Sequence, residues 1–140
     1  MNYSLDANIL IDLLSVGLKE TQPYIQWSFG AYERAVDHGD LFVSLIAFAE
    51  ISTSFDSADH ALQWLNAIGI ADFEAPSLNA LYQAGCAHAK YRHLGGTRDR
   101  TLPDFIIGAE AQDRGATLIT RDMARYRTYV PHLKLIAPDL

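Results

Sequence analysis

Short apolar runs alternate along this chain with longer segments whose apolar residues recur at helical spacing. The short runs are Asn2 to Leu5, Leu41-Phe42-Val43-Ser44, Thr117-Leu118-Ile119-Thr120 and Leu133 to Ile136. Most lack the in–out alternation of a strand with one wet face, so they read as strands covered on both sides. The intervening helical patterns cover Ala7 to Leu14, Thr21 to His38, Leu45 to Phe55, Asp59 to Ile68, Ser77 to His93, Leu102 to Arg114 and Asp122 to Tyr126. Pro23 and Gly39 bracket the second of these, and Pro103 and Gly115 bracket the sixth, as helix ends require. Ile70 to Phe73 is compatible with a further short strand. Strand–helix alternation of this kind predicts an α/β fold, a three-layer α/β/α sandwich around a short, mainly parallel sheet. A length of 140 residues suits one domain spanning 1–140.

The same pattern assigns faces. Ile25, Phe29, Tyr32 and Val36 line one side of their helix and are expected to face the core, with Tyr24, Trp27, Ala31 and Ala35 on a second side. Leu78, Leu81, Tyr82, Gly85 and Ala89 share a face of the long fifth helical segment. The single cysteine, Cys86, rules out an intrachain disulfide and is expected to be small and buried. A reducing cytoplasm is the matching environment. The longest charge-free span, Ala75 to Ala89, is too short and too polar to cross a bilayer, so no membrane role is expected.

Right-handed crossovers line the strand-to-helix junctions along one edge of a parallel sheet, where ligands and chemistry gather. Four acids map to that edge. Asp6 ends the first strand, and Glu50 lies in the second turn after the second strand. Asp104 sits in a first turn behind Pro103, and Asp122 follows the third strand after Arg121. Each has a bland alternative: a helix cap for the aspartates, a solvated surface position for Glu50. Glu50 stands among Ile46, Ala47, Phe48, Ala49 and Ile51, where an unpaired buried carboxylate would be costly. Oxygen-only carboxylate clusters suit hard cations such as Mg²⁺ or Mn²⁺. His38, His60, His88, His93 and His132 are scattered without zinc spacing, and neither a phosphate-cradling glycine loop nor a nucleophile elbow occurs.

Charge narrows the options further. The net charge is −6, yet residues 1–89 carry eleven acids and two bases while residues 90–140 carry nine bases and six acids. An acidic protein is a poor general nucleic-acid binder. A local basic rim remains, with Arg98, Arg100, Arg121 and Arg125 as candidate phosphate contacts or, equally, as solvated surface charge.

Taken in order, Leu5-Asp6-Ala7-Asn8-Ile9-Leu10-Ile11, Ser44 through Glu50, and Pro103-Asp104-Phe105-Ile106-Ile107-Gly108-Ala109 resemble the motifs of PIN-domain ribonucleases. So does the closing run Thr120-Arg121-Asp122 with Tyr126, Pro131 and Ile136-Ala137-Pro138. Size and motif order are similar to VapC-type toxins of prokaryotic toxin–antitoxin pairs. Ala7, Ala47 and Gly108 depart from the family pattern. The resemblance implies Asp6, Glu50, Asp104 and Asp122 as metal-binding catalytic acids, with Asn8, Ser44 and Thr120 as supporting polar residues. It implies Mg²⁺ or Mn²⁺ as cofactor, RNA as substrate, a cognate antitoxin and a homodimer. Asp12, Asp99 and Asp113 match no family acid and read as surface residues. Two other classes remain: a catalytically silent RNA-binding or interaction module, and a receiver or phosphotransfer domain. Against the last, no second acid follows Asp6 within Ala7-Asn8, and no lysine follows Thr120.

Overall fold

β1 (Asn2–Leu5) takes a central place in the sheet because both of its edges are paired. β2 (Asp40–Phe42) lies on one side of it and β3 (Thr117–Ile119) on the other, with β4 (Lys134–Ile136) outside β3. The order is β2-β1-β3-β4 and every pair is parallel. Tyr3 stands opposite both Leu41 and Thr117, which sets the register. The computed structural model describes residues 1–15, 22–97 and 101–138. The expected Arg98 and Arg100 contacts therefore lie outside the described residues, as does Asp99.

Helices cover the sheet as the three-layer reading requires. They are α1 (Ala7–Leu14), α2 (Pro23–His38), α3 (Leu45–Ile51), α4 (Ala58–Ala67), α5 (Leu78–His93), α6 (Leu102–Asp113) and α7 (Met123–Tyr129). Leu5, Ile9, Leu10, Phe105, Ile107, Leu118 and Ile119 are fully buried within one apolar core. Pairing continues one residue beyond the strands: Asp6 N–H donates to the Ile119 carbonyl and Thr120 N–H to that of Ile136, both at 3.0 Å. Asp6 and Thr120 are thereby held side by side at the carboxyl end of the sheet.

Three local expectations need correction. Ile70 to Phe73 pairs with no strand. Gly69, at φ 93°, closes α4, and Ile70 N–H bonds back to the Leu65 carbonyl at 2.9 Å. This is the six-to-one bond of a glycine-ended helix. Beyond it, Asp72 is drawn to Arg114 and Phe73 packs edge-on against Phe48. On α2 the buried line is Ile25, Ser28, Ala31 and Ala35, while Phe29 and Val36 are 38% and 44% exposed. Small residues bring the helix close, and Ser28 faces inward because its hydroxyl donates to Asp12 at 2.6 Å. α5 behaves likewise, burying Ala80, Ala84 and Ala87 and turning Leu78, Tyr82 and Cys86 outward. In both helices small side chains, not large ones, mark the packed face.

Gly108 has a physical reason. A Cβ placed there would stand 2.9 Å from the Tyr126 ring, closer than packed carbon atoms approach. The position is buried in α6, and Tyr126 is itself fully buried. Alanine would gain about 1 kcal/mol of helix propensity but overpack a closed core, which costs about 1–3 kcal/mol. Gly108→Ala is expected to lower the urea unfolding midpoint. An unchanged or raised midpoint would show that the Tyr126 ring yields freely.

Candidate active site

Asp6 is the buried centre of the site, at 3% exposure. Its Oδ1 accepts the Ala7 N–H at 2.8 Å, so it does cap α1. Its Oδ2 accepts two hydroxyls, from Thr120 at 2.8 Å and from Tyr126 at 2.9 Å. Thr120 gives its only proton to Asp6, and its Oγ1 accepts from Asn8 Nδ2 at 3.3 Å and from the Asp122 N–H at 3.0 Å. Asn8 Oδ1 in turn takes the Arg121 N–H at 3.2 Å. Every polar atom of this small net has a partner, and the net spans the ends of β1 and β3. Asn8 and Thr120 thus both belong to the net around Asp6. The Ser44 hydroxyl caps α3, the helix carrying Glu50, by accepting the Ile46 N–H at 3.2 Å, and its side chain also lies against Glu110.

The other three acids approach Asp6 from separate elements. Glu50 projects from α3 and is exposed, the solvated position open to it among its apolar sequence neighbours. Asp104 stands half-buried in the first turn of α6. Asp122 occupies the cap position of α7 but makes no capping bond, so the bland reading fails for it. Its carboxylate pairs with Arg125 Nη2 at 3.3 Å. Arg125 Nη1 pairs with Asp104 Oδ2.

Electrostatics tie the four together. Burial raises the Asp6 carboxyl above the usual range against the pull of its three hydrogen bonds, and the Asp122 charge adds to the rise. Partial burial, followed by the charges of Asp104 and Asp6, pushes Glu50 up to about 7. Asp104 is pushed up to about 6: burial and the Asp6 charge outweigh the Arg125 guanidinium beside it. Burial and the nearby carboxylates also hold the Tyr126 phenol well above its ordinary value, so it stays a donor. Asp6, Glu50 and Asp104 therefore each feel at least one of the other acids across the pocket.

Two residues have roles that their local sequence does not show. Asp12, expected at the surface, is 3% exposed. Its carboxylate grips Arg121 bidentately, Nε to Oδ2 at 2.7 Å and Nη2 to Oδ1 at 3.1 Å, and the guanidinium lies 4.8 Å over the Tyr24 ring. Arg121 thus pins the Thr120–Asp122 turn to α1 and α2. The clue was present: a carboxylate between Ile11 and Leu13 in an apolar helix is the signal attached instead to Glu50. Tyr126 belongs to the closing motif, where nothing local marks its hydroxyl. Its hydroxyl role depends on a contact 120 residues distant, which no local pattern reveals. Asp113 is exposed as expected, accepting from Ser77 and Asn79.

The pocket presents oxygen donors only, a set that suits a hard divalent cation. Among the described residues, no three His, Cys, Asp or Glu side chains stand close enough as placed to hold one.

The small parallel sheet flanked by helices is an architecture shared with known proteins. The PIN-domain family model matches residues 3–130, and the chain belongs to that family. No curated protein sequence matches it. Its fold is similar to the structure of VapBC2 from Rickettsia felis bound to a promoter DNA fragment, at 17% identity and TM-score 0.69, covering 99% of this chain and 100% of that one. It is also similar to VapBC-1 from nontypeable Haemophilus influenzae, at 18% identity and TM-score 0.70, covering 98% of each chain. A toxin–antitoxin complex from Klebsiella pneumoniae gives 21% identity and TM-score 0.65, again covering 98% of each.

The Asp12–Arg121 pair yields a stability test. Removing one partner of a buried ion pair costs about 3–5 kcal/mol, and less where the guanidinium retains some solvent, as Arg121 does at 31% side-chain exposure. Asp12→Ala is expected to cost about 2–3 kcal/mol in urea unfolding. In a cycle with Arg121→Ala, the second substitution should cost far less than it does alone. Additive losses would mean that the pair does not hold the turn.

The raised carboxyls give a pH test whose sign is fixed. Asp104 and Glu50 keep protons in the folded state that the unfolded chain has released, from about 4 upward to about 6 and about 7 respectively. Their contribution to stability is full below the unfolded values and is lost as pH rises through the folded ones. Between pH 5 and pH 7.5 the metal-free protein should lose on the order of 1 kcal/mol, exposure of Glu50 being allowed for. Glu50→Gln should flatten that loss. Stability rising across this range would separate these carboxyls from a common pocket.

Proposed function

We propose that this chain is a metal-dependent endoribonuclease and the toxin of a toxin–antitoxin pair. The observation that carries this reading is the gathering of Asp6, Glu50, Asp104 and Asp122 at one sheet edge, where the first three carboxyls are raised in part by the charge of a neighbouring acid. PIN domains are in general nucleases that use divalent metal. Asp6, Glu50 and Asp104 are the residues that would hold a first Mg²⁺ or Mn²⁺, with Asp122 serving a second ion or the attacking water. A bound ion supplies an activated water and neutralises charge building on the scissile phosphate.

The protein's own contribution is orientation. Thr120, Tyr126 and the Ala7 N–H leave Asp6 little rotational freedom. The backbone bond from Asp122 to Thr120 fixes where the fourth acid begins. Glu50, the exposed member, marks the side from which a strand of RNA would enter. Arg121 is already committed to Asp12, so it orients the turn and is a poor candidate for gripping phosphate.

The fold neighbours described as VapBC or toxin–antitoxin complexes support an antitoxin as partner. Leu78 and Tyr82, 85% and 69% exposed on α5, support pairing with a second copy of the chain. No helix among the described residues is long and apolar enough to cross a membrane, which accords with a cytoplasmic setting. One observation favours a second reading, a silent interaction module: Asp104 and Asp122 are held by Arg125 rather than drawn together with the other acids.

Asp6→Asn and Asp104→Asn are each expected to abolish cleavage of RNA by purified protein while the circular dichroism spectrum is kept. Groups that act as a unit each cost nearly the whole rate. Chelation by EDTA should do the same, reversibly. Undiminished cleavage in excess chelator would remove the metal, and inactivity of wild type on every RNA offered would favour the silent module.

A further inference from the structure

Arg125 stands among the acids of the candidate site. One guanidinium nitrogen is on Asp104 and the other is 3.3 Å from Asp122. Its side chain is only 15% exposed, less than either carboxylate it joins, at 20% and 38%. This is no surface arginine lying over an acidic patch. The neighbouring residue on α7, Tyr126, sends its hydroxyl to Asp6. A single turn of α7 therefore delivers a cation to two of the acids and a proton donor to a third.

The chemistry of that cation sets a conflict. A guanidinium cannot be deprotonated in a protein and takes carboxylate oxygens through a rigid planar fork. A hard divalent ion would seek the same oxygens at closer range and with twice the charge. The two cannot share Asp104 Oδ2 without bringing like charges together, which in a partly desolvated pocket is strongly unfavourable. Resting on the reading of these acids as a metal site, we propose that Arg125 is the site's internal counter-cation. Divalent metal then binds by exchange, displacing the guanidinium from Asp104 and Asp122.

Exchange has two consequences that a merely structural arginine lacks. The ion pair that stabilises the metal-free protein also weakens metal binding, because it must be broken first. The reach of Arg125 ties the two effects to one side chain, so they should move in opposite directions on substitution.

The test is calorimetric titration of Mn²⁺ into metal-free wild type, Arg125→Ala and Arg125→Gln, with thermal melting of each in EDTA and in saturating Mn²⁺. Arg125→Ala is expected to bind Mn²⁺ about tenfold or more tightly, a gain of about 1.4 kcal/mol. It should melt lower than wild type in EDTA and lose most of that deficit in Mn²⁺. Millimolar guanidinium added to Arg125→Ala should restore the melting temperature in EDTA and compete with Mn²⁺. Arg125→Gln, which keeps the stem and a neutral donor, guards against a variant that fails to fold and should also bind more tightly. Equal or weaker Mn²⁺ binding by the folded variants would overturn the exchange while leaving the metal site standing. Absence of Mn²⁺ binding in wild type and variants alike would overturn both.

Discussion

The structure turns on a carboxylate that has no business being dry. Asp6 is almost fully buried, and an unpartnered charge in such a place would cost several kcal/mol. It is tolerated because three donors from two distant parts of the chain converge on it: the Ala7 amide, the Thr120 hydroxyl and the Tyr126 hydroxyl. Much of the neighbouring architecture serves that convergence. β1 and β3 must lie side by side to bring Thr120 within reach, and α7 must start at once after β3 to bring Tyr126 back. Gly108 leaves the room that the Tyr126 ring takes up.

A second ion pair braces the same turn from outside. Asp12 and Arg121 join α1 to the residues after β3, while Ser28 and Tyr24 connect that bond to α2. Asn8 completes the fastening by taking the Arg121 amide. The turn from Thr120 to Asp122 is consequently gripped on both flanks. Its fourth acid is the least buried of the three aspartates, and that freedom is confined to its own side chain.

Sequence disclosed the periodicities and the junctions, and from these the sheet, its parallel sense and the four acids at its edge were legible. Apolar runs report burial whatever they pack against, so β1 to β4 were visible without knowing their neighbours. What escaped were choices that depend on a partner. Helical spacing puts Phe29 and Val36 on the face of Ile25, whereas Ala31 and Ala35 face inward because α2 lies close. Glu50 and Asp12 sit in equally apolar sequence, yet one reaches solvent and the other finds Arg121, 109 residues further on. Arg125 reads from sequence as a phosphate contact or a surface charge, and its pairing is hidden for the same reason: Asp104, 21 residues earlier, comes near only once α6 and α7 have packed.

The bonds that complete Asp6 span 114 and 120 residues of chain. Contacts so remote in sequence close loops at a large entropic cost and form late. During synthesis β1, α1 and α2 emerge first and can collapse together, but Asp6 then lacks its hydroxyl donors and a neighbouring strand. Pocket assembly must wait until β3 and α7 have left the ribosome and docked. A nascent chain therefore lacks the assembled pocket until β3 and α7 have been made, so that one broken off before Thr120 would carry the first acid without its hydroxyl donors.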